Sequence, residues 1–208
     1  MGRYTGPKEK LSRREGVDLG LKGERALQGK SAMERRPYPP GQHGRGRRRA
    51  SEYSLQLRAK QQAKITYGLR ERQFSNLFRK STREEGMAGE NLLRHLERRL
   101  DNVVFRLGLA STRAQARQFV VHRHVTVNGK RVDRPSFEVS PEDQVAIKAD
   151  AAIEPLVRRA TELAGPTPDW LLADHDNLRG SVSRLPDRAD VTIPVEERLI
   201  VEYYSLSS

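Results

Sequence analysis

The 208-residue sequence predicts an α+β chain, mainly helical, with a small antiparallel sheet in its middle and an extended basic arm at its start. Three observations carry this. Apolar residues recur at intervals of three and four over most of the stretch from Ser54 to Leu107, the spacing of buried helix faces. Around Asn128-Gly129 the period changes to strand alternation. Residues 1–50 hold fourteen Lys or Arg against five Asp or Glu, and glycine and proline interrupt every candidate helix there.

In order, the arm comes first. Residues 35–44, RRPYPPGQHG, are expected to be extended, because proline biases itself and its predecessor away from helix. Arg45 and Arg47, Arg48 and Arg49 form a cluster whose charges repel unless a counter-charge is near. The arm has few apolar side chains to offset the entropy of ordering, roughly 1–2 kcal/mol per residue, so alone it is expected to be largely disordered. Its candidate contacts to a polyanion are Arg3, Arg13, Arg14, Arg35, Arg36, Tyr38, Gln42, His43, Arg45 and Arg47 to Arg49.

A helix is predicted from about Ser54 to Tyr67, ending at Gly68, and a shorter one follows with Phe74, Leu77 and Phe78 on one side. The helical spacing of the two phenylalanines favours core packing over stacking on a ligand. Arg58, Lys60, Lys64, Arg70 and Arg72 are the candidate cationic contacts of this region. Met87-Ala88-Gly89 reads as a break before a long helix whose apolar side is Leu96, Leu100, Val103, Val104 and Leu107. Gly108 follows as a left-handed stop. A second helix starts at Ser111 or Thr112, with Thr112-x-x-Gln115 as a capping box. On it Arg113 and Arg117 share a face, while Ala116, Phe119 and Val120 turn towards the first helix. Val125-Thr126-Val127 is a strand, Asn128-Gly129 a tight hairpin turn, and Lys130 and Arg131 stand just past it. Two helices and a basic hairpin make a one-sided cationic surface. The alternative, a merely solvated charged face, is outweighed by the hairpin cations in so basic a chain. The candidates here are Arg113, Gln115, Arg117, Gln118, His122, His124, Asn128, Lys130 and Arg131.

Beyond the hairpin, Gln144 to Lys148 alternates as a closing strand, and Ala151 to Ala164 suggests a helix. Trp170, Leu171 and Leu172 are expected to pack on the preceding unit. Residues 149–208 change character, with six basic and eleven acidic residues, which suits protein better than phosphate as a neighbour. Glu197 to Tyr204 reads as an apolar strand or extended segment.

The whole chain carries 39 Lys and Arg against 27 Asp and Glu, a net charge of +12. A polyanionic partner or an anionic surface is the natural consequence. No apolar run is long enough to cross a membrane, and no apolar signal core follows Met1. Cysteine is absent, which excludes disulfides and thiolate metal sites.

The stretch RLDNVVFRLGLASTRAQARQFVVHRHVTVNGKRVDRPSFEV resembles the RNA-binding module named after bacterial ribosomal protein S-four. ERRPYPPGQHG at 34–44, YGLRERQFSNLF at 67–78 and RLPDRAD at 184–190 extend the resemblance to that ribosomal protein family over nearly the whole chain. The resemblance implies a mainly helical domain with the module inserted in it: an arm over 1–45 that orders on RNA, a helical domain over 46–92 completed by 180–208, and the module with its extension over 93–179, core 98–148. It implies binding to small-subunit ribosomal RNA, early action in subunit assembly, a place on the cytoplasmic ribosome near where messenger RNA enters, contact with ribosomal protein S-five, and influence on decoding accuracy. It also allows repression of the protein's own operon. Many relatives hold a structural zinc in the arm with four cysteines. The matching positions here are Glu9, Ser12, Ala26 and Ser31, so neither a metal nor any other cofactor is expected.

Catalysis finds no support. Arg99-Leu100-Asp101 matches a triplet that marks the catalytic aspartate of pseudouridine synthases, some of which carry the same module. Here it lies inside the module's first helix, where Asp101 is expected to order a neighbouring arginine. His122 and His124 are two apart and do not share a helix face as a ligand pair would. A modifying enzyme carrying the module, or a regulatory RNA-binding protein outside the ribosome, are the alternative readings.

Overall fold

A computed structural model describes residues 4–46, 49–148 and 152–206. Two compact units divide it: the chain up to Leu92 together with the chain from Ile193, and the chain between Leu93 and Thr192.

The first unit begins with three short helices, α1 (Lys8–Glu15), α2 (Glu24–Leu27) and α3 (Ala32–Arg35). The arm therefore has local structure where its Gly and Pro content predicted none. Hydrogen bonding supplies what apolar burial does not, since only Ser12 and Leu19 are buried among its described residues. Leu19 N donates to Ser12 Oγ at 3.4 Å, and Arg13 Nε to the carbonyls of Arg36 and Tyr38, both at 3.0 Å. Arg14 donates to the Pro40 carbonyl at 3.2 Å.

Next come α4 (Glu52–Thr66), whose first turn is capped by the Ser51 hydroxyl, and α5 (Glu71–Ser81). Phe74 and Phe78 of α5 are buried. Helix α6 (Ala88–Glu97) starts at Ala88, so the helix expected after the Met87-Ala88-Gly89 break already includes Ala88 and Gly89.

The expected long helix is broken. Arg99 is extended (φ −62°, ψ 134°) and bridges to Glu138, and α7 (Leu100–Arg106) starts afresh beyond it. Leu100 N donates to the Phe137 carbonyl at 2.8 Å and Arg98 Nε to the Val139 carbonyl at 2.9 Å. Pairing with residues 137–139 replaces the helical bonds that periodicity assumed. Gly108 ends α7 at φ 75°, and a Cβ there would lie 2.6 Å from Ala164 Cβ, so both conformation and space require glycine. Helix α8 (Arg113–Val121) follows.

The sheet has five antiparallel strands in the order β2-β1-β3-β5-β4. Strands β1 (Val125–Val127) and β2 (Lys130–Arg131) form the hairpin, and β3 (Gln144–Ile147) pairs with β1. Helix α9 (Glu154–Glu162) leads to β4 (Leu171–Asp174) and β5 (Arg179–Val182). Residue pattern marks the start of β4 only as packing and β5 not at all. Gly180 hides the signal: a Cβ there would collide with Leu107 Cδ2, so glycine lets β5 lie close to α7 although it weakens strand propensity. The core of this unit joins Val103, Leu107, Phe119, Val145 and Trp170, all buried.

Helix α10 (Glu197–Ser205) closes the chain where a strand or extended segment was expected. A run this short satisfies both periods, and packing on α4 selects the helix. Tyr204 stacks on Phe78 with ring centroids 4.4 Å apart, and Tyr203 lies 5.8 Å from Tyr53. The return begins at Ile193, so 180–192 group with the unit from Leu93 and the arm groups with the helical one.

Candidate nucleic-acid interface

The basic face of α8 is built on two adjacent residues of α7. Asp101, 4% exposed, accepts Arg99 Nε and Nη2 at 3.1 and 2.9 Å and Arg117 Nη1 at 3.0 Å. Its Oδ1 also accepts Asn102 N at 3.1 Å. Asn102 Oδ1 accepts Arg113 Nε at 2.8 Å, while its amide donates to Glu97 Oε2 at 2.8 Å. Glu97 is fully buried and receives Arg106 through Nε and Nη2 at 3.0 and 2.7 Å. The Arg113 guanidinium lies 4.4 Å from the Phe105 ring centroid. Arg113 and Arg117 are thus half-buried and held, not the freely exposed pair that spacing suggested.

Two other expected contacts are committed inside the unit. Gln115 Oε1 accepts Ser111 N at 2.7 Å while Thr112 Oγ1 accepts Gln115 N at 3.1 Å, so the capping box reaches one residue further than its motif says. Asn128 sits at φ 49°, and its amide group donates to Asp143 at 2.8 Å and accepts Gln144 N at 2.9 Å. Both side chains brace the backbone, Asn128 while remaining exposed. Gln118, His122, Lys130 and Arg131 are exposed and His124 is half-buried. Arg123, at φ 66°, turns the chain between the two histidines, whose rings are 6.4 Å apart. Lys148 N donates to the His124 carbonyl at 2.7 Å, which brings the exposed Lys148 beside this edge. Lys148 and the exposed Arg134 are further cations of this unit that no motif singles out.

In the helical unit Lys60 is buried, with Nζ 2.7 Å from Glu71 and 4.3 Å from the Tyr203 ring centroid. An ammonium enclosed by a carboxylate and a ring is not placed to meet phosphate, so Lys60 leaves the candidate set. Lys64 joins the same carboxylate at 2.9 Å. Burial raises the Glu71 pKa, but the two lysines outweigh it and hold it below the usual value. Arg58 pairs at 2.8 Å with Glu15, whose side chain is 1% exposed. Burial outweighs that arginine and pushes the Glu15 carboxyl up. Arg70 and Arg72 are exposed.

In the arm, Tyr38 lies between Arg13 and Arg45, whose guanidiniums stand 5.1 and 4.9 Å from its ring centroid. The Arg45 hydrogen bond to the phenol, 3.4 Å long, holds the Tyr38 pKa below its ordinary value. Arg14, Arg35, Arg36, Gln42, His43, Arg45 and Arg49 are exposed, and Arg13 is half-buried. Arg3, Arg47 and Arg48 lie outside the described residues.

Glu9, Ser12, Ala26 and Ser31, the four positions that the resemblance aligns with a zinc site, line one small cavity. The donor set does not fit a metal. One member is alanine, Glu9 pairs with Arg25 at 3.6 Å, and Ser12 Oγ accepts a backbone amide. The Ser31 hydroxyl donates to Asp18 at 3.4 Å, and Asp18 accepts Gly20 N at 2.9 Å. Among the described residues no three His, Cys, Asp or Glu side chains are grouped to hold a metal ion.

Residues 3–97 match the family described as the ribosomal protein S4/S9 N-terminal domain, and residues 98–145 match the S4 domain. The small ribosomal subunit protein uS4 of Desulforamulus reducens is 52% identical over 207 residues, covering 99% of this chain and 100% of that one. The chain belongs to the uS4 family. Proteins of the same name from two strains of Thermus thermophilus are 51% identical over 211 residues, with the same coverage. The boundary between the two uS4 matches falls after Glu97, at the turn residue Arg98 and the extended Arg99 that separate α6 from α7.

Proposed function

We propose that this chain is a structural constituent of the small ribosomal subunit that binds small-subunit ribosomal RNA. The observation that carries the reading is the full-length identity to proteins named small ribosomal subunit protein uS4. The held arginines of α8 support it by supplying a mechanism. Each cation placed on a phosphate releases condensed counterions, and a rigid helix face selects the shape of the backbone rather than its sequence. Arg113, Arg117, Gln118, His122, His124, Lys130 and Arg131 are the proposed contacts of the module. Arg13, Arg14, Arg35, Arg36, Tyr38, Gln42, His43, Arg45 and Arg49 are those of the arm. Arg58, Lys64, Arg70 and Arg72 complete the set, with Arg58 and Lys64 contributing residual charge beside their carboxylates.

Asp101 is no catalytic group in this reading, because two arginines and a backbone amide already occupy its oxygens. Early action in assembly, contact with ribosomal protein S-five, a position near entering messenger RNA in the cytoplasm and an effect on decoding accuracy belong to the same proposal. The test is co-sedimentation with small subunits after a high-salt wash. Stoichiometric retention is the expected result, and release at a salt concentration that spares other subunit proteins would overturn the reading.

A further inference from the structure

We propose that Asp101 is a positioning residue for RNA binding, an acidic group that strengthens attraction to a phosphate by holding Arg117 towards it. The inference rests on the proposed RNA-binding role of the α8 face and adds to it which residue sets that face.

The observation is a charge arrangement with an internal direction. Asp101 is almost enclosed, its side chain 6% exposed, and it joins Arg99 at 7% to Arg117 at 24%. Arg99 binds it through two nitrogens in a forked pair, so the buried arginine neutralises the buried carboxylate. Arg117 joins the same carboxylate through Nη1 at Oδ2. The cluster of two arginines and one aspartate therefore keeps one positive charge in excess, and that charge sits at its most exposed member. The Asn102 backbone amide on Oδ1 fixes the carboxylate to the start of α7. A guanidinium tethered at one corner loses less rotamer freedom on meeting phosphate than a free one, and its remaining donors keep a set direction.

Coulombic accounting without geometry predicts the opposite sign. A carboxylate beside a phosphate-binding arginine repels phosphate, so its removal would tighten binding. The two accounts differ in direction, which makes the proposal decidable.

The experiment compares four full-length proteins, wild type, Asp101→Ala, Arg117→Ala and the double variant, titrated with a small-subunit ribosomal RNA fragment across a salt series. Positioning predicts that Asp101→Ala weakens binding about tenfold, as removing one charge-assisted hydrogen bond would. It predicts also that Asp101→Ala changes little once Arg117 is already alanine. Tighter or unchanged binding in Asp101→Ala overturns the proposal, as does a penalty that persists at full size without Arg117. If Arg117→Ala itself leaves affinity and salt dependence unchanged, the α8 face is not where RNA binds, and that broader reading fails instead. Asp101→Ala strands the buried Arg99, so a melting curve is recorded for each protein. Should it misfold, Asp101→Ala with Arg99→Met removes the stranded charge while leaving Arg117 untethered, and the same weakening of affinity is expected.

Discussion

The cations of the α8 face and those of the N-terminal arm are held in different ways. Arg99, Arg113 and Arg117 are bound by the side chains of Asp101 and Asn102, which are themselves buried on a helix of the apolar core. Arg13 and Arg14 are bound by backbone carbonyls of residues 36–40, and Arg13 and Arg45 lie on the ring of Tyr38, with little apolar burial beneath them. The first arrangement fixes direction before any ligand arrives. The second rests on bonds to groups that water can satisfy equally well, so it is expected to hold less firmly until a polyanion supplies counter-charge. One chain thus carries a pre-set surface and an adaptable one.

The comparison can be broken hardest at the core that makes the module rigid. Trp170→Ala should cost about 3–5 kcal/mol, measured by chemical denaturation, because it empties a fully buried site against α7 and the sheet. Trp170→Phe should cost clearly less, since the indole Nε1–H has no hydrogen-bond partner among the described residues. Equal losses for the two would show that the tryptophan acts through something other than volume.

Arg113→Ala with Arg117→Ala should act on both folding and binding. Arg113→Ala leaves the buried Asn102 Oδ1 without its arginine, so a stability loss of roughly 1–3 kcal/mol is expected there, and a smaller one at Arg117, because Asp101 keeps its forked pair with Arg99. The salt dependence of RNA binding should flatten by somewhat under about one log–log unit for each phosphate that no longer meets an arginine. A variant that keeps wild-type stability and slope would show that neither arginine is held or used.

A milder effect should come from acid. The folded-state Glu71 carboxyl lies below its ordinary pKa, so the stability it lends is present above the unfolded value and is lost as pH falls through the folded one. Glu71 also accepts the Tyr204 hydroxyl at 3.2 Å, so tyrosine fluorescence should report loosening of α10 below the usual carboxylate range. Glu71→Gln should remove that acid step. Its persistence would place the titration elsewhere.

The smallest effect on stability should come from the arm. In hydrogen exchange of the free protein, amides before Arg45 should exchange well ahead of those in β1 and β3, and should slow on adding ribosomal RNA. Core-like protection of the arm in the free protein would erase the distinction between the two regions.

Much of this was legible in the residues. The Asn128-Gly129 turn, the stop at Gly108 and the apolar face of α7 and α8 all lie where local chemistry put them, because turn conformation and helix spacing depend on neighbours in sequence. The break at Arg98-Arg99, strands β4 and β5, and the helical form of the last segment were not legible. Each is decided by a partner far along the chain: residues 137–139 for the break, β3 and the crowding of Gly180 on Leu107 for the strands, and α4 for α10.

The same division governs function. Composition alone predicts a polyanionic partner or an anionic surface, and the order of its motifs points to a family, since charge and residue pattern are properties of the chain itself. Which cations keep access to solvent is settled by the fold. Lys60 and Lys64 read as equivalent on α4, yet Lys60 is enclosed by Glu71 and Tyr203 while Lys64 keeps partial access to water. Arg117 and Arg58 both read as candidate cationic contacts, and each meets a buried carboxylate. Spacing tells which residues share a face. Whether an acid from elsewhere reaches that face depends on packing, because a charge is held only where the desolvation of its partner is already compensated.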